Sequence, residues 1–552
     1  RSWLQNVVWP VDHPLPNPIC HTDTRMLPHR LVACCTIAVI AVRAAELTCH
    51  DGGHCENDDE FAVELLQRRT RMPQRADLET VQTAHGRTEL SSKDPFNTSI
   101  RETPMCTPLF DEGASFTVLV QLGTTLPGEK PQSLALVVDT GSNAMVVSSC
   151  MCNLAAVLGS GCAMEQPCFR GDPSVSPTFK ASNSHIELEY GSGAIQCDVG
   201  TDYAMLEGSN IRAYMRDGLF LLQDRHELHV GPDFLGIVGL GMPSAPGEKM
   251  ELVPEKLFMQ AAGVPRYSVC FNGGGIPGAL KTGMPPFQKT LTSTGVYHWG
   301  VGMTGLRAGS STSNVVACAS DMEGAGTQTP CGIIPDSGTT QILGPVEQVL
   351  SLFENLCAAW PRCKSAAEHA GVAPSADMFH ILLWRCGEWL TDGEGVREIP
   401  SIFFDMVGAY EGEAQTIELT AWSWVIQVEN TSDLTERTSH ARALMELHSA
   451  TESHSARCLA DIDTIDYPTT QNGPIWILGQ ALFLSGTIGY DITSYPPALS
   501  FDMDALCNCP PAGVPALLDE GAERQHEDKL GMGLRRTSGM PRRPKLNTSA
   551  PL

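Results

Sequence analysis

Two segments, Asp139-Thr140-Gly141-Ser142 and Asp336-Ser337-Gly338-Thr339-Thr340, repeat one pattern nearly two hundred residues apart. Each closes an apolar run, Leu136-Val137-Val138 in the first case and Gly332-Ile333-Ile334-Pro335 in the second. One Asp-Thr-Gly alone marks little more than a tight turn, because glycine after a polar pair is common in loops. Two copies at the ends of matching strands constrain the fold much further: each half of the chain is expected to deliver one carboxylate to a common place.

The chemistry explains why two are needed. Hydrolysis of an amide by water requires one group to accept the water's proton and another to donate to the carbonyl oxygen, and two carboxyls that share one proton supply both. Close carboxylates do not both ionise readily, so one is pushed down and the other up, and the pair titrates as a unit. Asp139 and Asp336 are therefore the candidate catalytic pair. Gly141 and Gly338 allow the sharp turns. Thr140 and Ser337 are short hydroxyl residues able to bond across to the opposite loop and keep the carboxyls coplanar, and Ser142 and Thr339 can hydrogen-bond the outer carboxyl oxygens.

With these motifs the chain resembles the pepsin-type aspartic endopeptidases, as a divergent member. The resemblance takes in Phe116-Thr117-Val118-Leu119-Val120-Gln121-Leu122-Gly123 ahead of the first aspartate and Asn143-Ala144-Met145-Val146-Val147 after it. About fifty residues on, Tyr190-Gly191-Ser192-Gly193 matches the family's mobile flap. Phe234 to Gly241, Ile399 to Phe404, Trp476-Ile477-Leu478-Gly479 and Thr487 to Asp491 follow in the family's order, so the likeness covers roughly Phe116 to Asp502. It implies a mainly β, bilobal pepsin-like fold with short helices. Three residues depart from the pattern. Val146 stands where the family usually has the tryptophan that bonds the flap tyrosine, Gln480 stands where an aspartate is common, and Pro335 removes a strand donor directly before Asp336. The Asp-Ser-Gly-Thr-Thr form of the second motif looks more like plant-type and β-secretase-like enzymes than pepsin itself.

A formal charge of −26 over 552 residues, with pI near 5.0, argues against nucleic acid as a partner, which needs basic surface. Twenty cysteines point to an oxidising compartment. The resemblance implies a Cys318–Cys331 disulfide. Cys150, Cys152, Cys162 and Cys168 are expected to form two bridges, and Cys386 to pair with Cys357 or Cys363. The Cys-x-Cys pairs at 150–152 and 507–509 lack the spacing and the histidines of a zinc site.

The length suits two lobes with flanking segments. Residues 1–25 are expected to be untranslated or a leader fragment. A basic start and short apolar core across 26–44 read as a signal peptide, too short to span a membrane comfortably. The arginine-bearing stretch 45–105 resembles a pro-segment that would pair with the acidic enzyme and leave on acidification. The lobes are expected at 106–285 and 286–502, with a polar, flexible tail at 503–552. Within the second lobe, Trp422 to Ile426 reads as a strand, and Leu434 to Leu459, with His440, His448 and His454, as a polar insertion. Asn97, Asn430 and Asn547 head N-glycosylation sequons, meaningful in a secreted chain.

The resemblance implies an acid-optimal endopeptidase in the secretory route, secreted or in an acidic lumen. Its expected partners are a peptide or protein substrate and its own pro-segment, with no membrane anchor, and a monomer is expected. No metal or organic cofactor is required. The competing class is a catalytically silent peptide-binding or inhibitor protein on the same fold, with Pro335 its main support.

Overall fold

The computed structural model describes residues 105–155, 159–162, 166–191, 193–225, 228, 234–243, 257–319, 324, 326–390, 395–428, 457–493 and 495–509. All of them belong to one compact unit, Thr98–Leu552. The stretches expected to be leader, signal peptide and, up to residue 104, pro-segment lie outside the described residues, as do Ser192, the three sequon asparagines and His440, His448 and His454.

Alternation builds the strands. In Phe116–Leu122 the side chains of Phe116, Val118, Val120 and Leu122 are buried while Leu119 and Gln121 are only half-buried, as a period of two requires when one face meets a core. The strand that leads into Asp139 keeps that alternation, with Leu134, Leu136 and Val138 buried and Ala135 and Val137 half-buried, whereas the strand before Asp336 is covered on both faces. Every residue of Cys331–Pro335 is buried.

The two halves repeat one arrangement. In the first, Gln132–Asp139 runs parallel to Gly236–Gly239, with Val138 opposite Val238 and Asp139 opposite Gly239. Met145–Ser148 lies antiparallel on the other side of Gly236–Gly239 and parallel to Arg212–Asp224. In the second, Cys331–Pro335 runs parallel to Gly473–Leu478. There Ile342–Gly344 takes the antiparallel place and pairs in parallel with Ile462–Thr464. In each half the chain leaves its aspartate strand through the motif and returns on the far side of the same partner strand, so the motif becomes a loop at the sheet's end.

These strands fall into a thirteen-stranded and a nine-stranded sheet, with Val425–Val428 and Arg457–Ala460 forming a separate pair. The larger sheet joins the halves. Arg266–Cys270 pairs antiparallel with Thr487–Asp491, which places Tyr267 opposite Tyr490. Met105–Asp111 and Gly278–Thr282 flank this junction on one side, Ala498–Asp502 and Leu291–Thr292 on the other.

The second half also carries the helices Val346–Ala359, Pro361–Ala370 and Ala376–Trp384. The first buries Val349, Leu352, Phe353 and Leu356 on one face, at the spacing of neighbouring helical turns. Gly371, in the left-handed conformation, closes the second. The Ser375 hydroxyl accepts from the Met378 N–H at 3.2 Å to start the third. Trp360, Phe379, Trp389 and Trp424 pack edge-on or stacked between these helices and the sheet. The segment 422–426 differs from the sequence expectation: Ala421–Trp424 is a helical turn, and the strand begins only at Val425. The turn lets Trp424 bury its ring while its Nε1 donates to Leu419 O at 3.3 Å.

Among the described residues seven disulfides tie the fold. Cys318–Cys331 forms, and the four cysteines after the first motif make Cys150–Cys168 and Cys152–Cys162. Cys386 does not pair with either Cys357 or Cys363, which bond to each other; its partner is Cys458. The reason is local geometry. Cys357 and Cys363 face across the break between two consecutive helices, whereas Cys386 lies beside the strand Arg457–Ala460. Cys507 and Cys509, within the stretch read as tail, are bonded to Cys270 and Cys106. The chain is therefore held to the first half as far as residue 509.

Candidate active site

Asp139 and Asp336 end matching strands and meet between the halves. The ladder carries each loop: Leu240 N–H donates to Asp139 O at 2.6 Å, and Asp336 N–H donates to Leu478 O at 3.0 Å. The second bond shows how Pro335 is tolerated, since the pairing continues past the proline through the next residue. The Pro335 carbonyl is used as well, accepting from Thr140 Oγ1 at 3.0 Å.

Thr140 and Ser337 form a reciprocal link. Thr140 N–H donates to Ser337 Oγ at 3.0 Å, and Ser337 N–H donates to Thr140 Oγ1 at 3.0 Å. Ser337 Oγ in turn donates to Val138 O at 2.8 Å. Both side chains are wholly buried. Four hydrogen bonds in a dry place therefore fix one loop against the other, and buried bonds of this kind are expensive to break one at a time.

The carboxylates are held alike. Asp139 Oδ1 accepts from Gly141 N–H at 2.8 Å, and its Oδ2 accepts from the Ser142 hydroxyl. Asp336 Oδ1 accepts from Gly338 N–H at 2.9 Å and Thr339 N–H at 3.3 Å, and its Oδ2 from Thr339 Oγ1 at 2.6 Å. Each motif glycine lies against the opposite carboxyl. A Cβ on Gly141 would stand 2.5 Å from Asp336 Cγ, and one on Gly338 would stand 2.5 Å from Asp139 Oδ1. No side chain fits there, which is why the pattern needs glycine at both places.

The electrostatics are less even. Asp139 is 6% exposed. Burial first, then the charge of Asp336, lift its carboxyl from the ordinary 3.8 to about 7, against the opposing pull of the Ser142 and Gly141 donors. A buried acid that keeps its proton into the neutral range beside a second carboxyl can donate to a carbonyl oxygen while its partner accepts from water.

The flap motif falls on a long hairpin, Lys180–Tyr190 with Gly193–Leu206, where Tyr190 faces Gly193 across the turn. Gly193 has φ of 134°, which glycine alone adopts without strain. Val146 lies under the hairpin in a cluster with Ile195, Phe220 and Ile237, and Tyr190 packs on this cluster. The Tyr190 hydroxyl is buried without a hydrogen-bond partner among the described residues. Ser142 and the Asp139 charge are its polar neighbours, and burial pushes the phenol well above its usual range. Gln480 is buried, and its Nε2 donates to Ala114 O at 2.8 Å, an acceptor it shares with Thr340 Oγ1 at 2.7 Å. The glutamine thus ties the second motif to the turn that opens the first half, a bond that an ionised aspartate, lacking a donor, would not make.

Two features escape the sequence motifs. His298 Nδ1 lies 2.9 Å from Gly141 O, and because a carbonyl only accepts, that nitrogen carries the proton. Beneath the first loop, Tyr267 OH and Trp299 Nε1 both donate to Leu240 O, at 2.6 and 3.0 Å. A Tyr-His-Trp run at 297–299, where the second half begins, is the one local signal for either.

The profile of the eukaryotic aspartyl protease family matches residues 120–495. Among individual relatives, cathepsin E of Cavia porcellus is 28% identical over 247 residues, which is 43% of this chain and 58% of that protein. Napsin-A of Homo sapiens is 23% identical over 393 residues, 67% of this chain and 74% of that protein. Chymosin of Ovis aries is 25% identical over 228 residues, 41% and 55% respectively. The chain thus spans little more than half the length of the cathepsins E that it matches.

Proposed function

Because the chain belongs to the eukaryotic aspartyl protease family, we propose that it is an endopeptidase that hydrolyses peptide bonds with a water activated by Asp139 and Asp336. The observation that carries this reading is the completeness of the pair. Both carboxylates keep their loop donors, both motif glycines are in place, and the Thr140–Ser337 link joins the loops. Pro335 had favoured a silent binding protein, yet Asp336 is anchored to Leu478 and held by the donors of Gly338 and Thr339.

In the proposed reaction a peptide lies extended across the two loops, bound through main-chain hydrogen bonds. Asp336, as carboxylate, takes a proton from the water; Asp139, protonated, donates to the scissile carbonyl, and a tetrahedral intermediate forms. Tyr190 and the hairpin tip, Gly191 to Gly193, close over it and exclude bulk water. Cleavage is expected to fade as pH rises through about 7, where Asp139 loses its proton. The same reading assigns 26–44 as signal peptide and 45–105 as an acid-released pro-segment. The seven disulfides among the described residues support a secretory or otherwise oxidising location. Among the described residues no helix is long and apolar enough to cross a membrane.

The test is cleavage of a denatured globular protein between pH 3 and pH 7, with and without a statine-containing peptide, by the full chain after acid treatment. Activity that is confined to acid, blocked by the statine peptide and lost in Asp139→Ala and in Asp336→Ala is the expected result. A folded chain that cleaves nothing at any of these pH values would overturn the reading.

A further inference from the structure

Tyr490 sits on the strand that joins the halves, opposite Tyr267, and is wholly buried. Its ring stacks on Tyr267 with centroids 5.1 Å apart and meets Trp299 at 5.0 Å. Those two neighbours have spent their polar atoms on Leu240 O, and Leu240 N–H holds Asp139 O. The Tyr490 hydroxyl has no hydrogen-bond partner among the described residues. Burial pushes its phenol well above the usual range; the Thr140 hydroxyl opposes that rise, and Tyr267 and the Asp336 and Asp139 carboxyls add to it. The titratable groups that face it are Tyr267 from the adjacent strand and these two aspartates.

A phenylalanine would fill the same space without an unsatisfied buried oxygen, and a buried hydroxyl lacking a partner is destabilising. We propose that Tyr490 is a positioning residue for the carboxylate pair, its hydroxyl a donor aimed from below at Thr140 and the single negative charge the two aspartates share. Thr140 Oγ1 already donates to Pro335 O and accepts from Ser337 N–H, so an O–H pointed at it steadies the atom that bridges the two loops. The same dipole, directed toward the aspartates, favours the singly charged pair over the fully protonated one. It favours the doubly charged pair still more. Its removal therefore moves both protonation steps of the pair to higher pH.

The inference rests on the proposed function for its kinetic readout but not for its physical one. The experiment compares wild type with Tyr490→Phe by aspartate carboxyl-carbon NMR titration, by the pH profile of kcat/KM, and by Tm. The expected result is that the carboxyl titration and both limbs of the profile move up by about half a pH unit. In addition kcat falls about three- to tenfold at nearly constant KM, and Tm is unchanged or higher. Tyr490→3-fluorotyrosine, a stronger donor of nearly the same shape, is expected to move the titration the opposite way and serves if the phenylalanine variant does not fold. Superimposable titrations and profiles overturn the proposal, whether Tm rises or falls. A wild-type chain that cleaves nothing, yet whose carboxyl titration shifts with the substitution, contradicts the proteolytic reading and leaves Tyr490 in its positioning role.

Discussion

The loops around Asp139 and Asp336 are nearly interchangeable in their hydrogen bonds and quite different in their surroundings. Each carboxylate takes a backbone N–H two residues on and a hydroxyl three residues on, and each loop lends its central hydroxyl residue to the other. Outside that shell the likeness ends. The first loop is roofed by the hairpin that carries Tyr190, capped by His298 on Gly141 O and floored by three aromatic rings. The second is braced by Gln480 and Thr340 against Ala114. A symmetric cradle supplies two equivalent acids, and an unequal environment makes them chemically distinct. Here the greater burial of Asp139 assigns it the proton.

The largest effect that would break this comparison is loss of either acid. Asp139→Ala and Asp336→Ala should each lower peptide cleavage by about a thousandfold or more, because the residues act as a unit; a variant of one that keeps a tenth of the activity would mean the pair is not shared. Next come the glycines. Gly141→Ala and Gly338→Ala each place a Cβ 2.5 Å from a carboxyl atom of the opposite loop, and kcat should fall on the order of a hundredfold in both. Equal losses support the symmetric cradle, whereas a loss in one alone would locate the working geometry in a single loop.

The reciprocal link sharpens the point further. Thr140→Val and Ser337→Ala each leave a buried backbone N–H without its acceptor and should lower unfolding free energy by about 1–3 kcal/mol. The two substitutions remove separate hydrogen bonds between the same pair of loops, so the departure of the double variant from the sum of the singles in denaturant melts measures how strongly the two halves of the link are coupled. The smallest effect isolates the asymmetry. Between pH 3.8 and about 7 the unfolded chain releases the Asp139 proton while the folded chain keeps it, so this group makes stability fall as pH rises through that window. Its share is on the order of 2–4 kcal/mol. Asp139→Asn should flatten the slope of stability against pH by that amount, and an unchanged slope would remove the asymmetry.

What could be read from the chain was what chemistry repeats locally. A carboxylate, a turn glycine and a short hydroxyl have to lie within four residues of one another, so Asp139-Thr140-Gly141-Ser142 and its partner stand out in the sequence, and with them the two-halved β fold. Contacts made over long separations were not legible. Cys106–Cys509 and Cys270–Cys507 join residues 403 and 237 apart, and nothing near any of the four marks its partner. Cys386 was assigned to its neighbours in sequence and belongs to Cys458, 72 residues on. Pro335 looked like damage to its strand because a missing N–H is visible in the sequence, whereas the Asp336 bond to Leu478 is not. Tyr490 carries no sign of lying near the motifs, and His298 only the aromatic run around it, since the pairing of Tyr267 with Tyr490 and the bond to Gly141 O bring them there.

The distinction between the two acids comes down to one shared proton, held by Asp139. The most direct measurement is a carboxyl-carbon NMR titration of the aspartate-labelled chain, from pH 3 to pH 8, in wild type and Asp139→Asn. One aspartate carboxyl is expected to titrate at about 7 in wild type and to be absent from the variant. Wild-type aspartates that all titrate in the ordinary range, with none lost above pH 6 in Asp139→Asn, would contradict it.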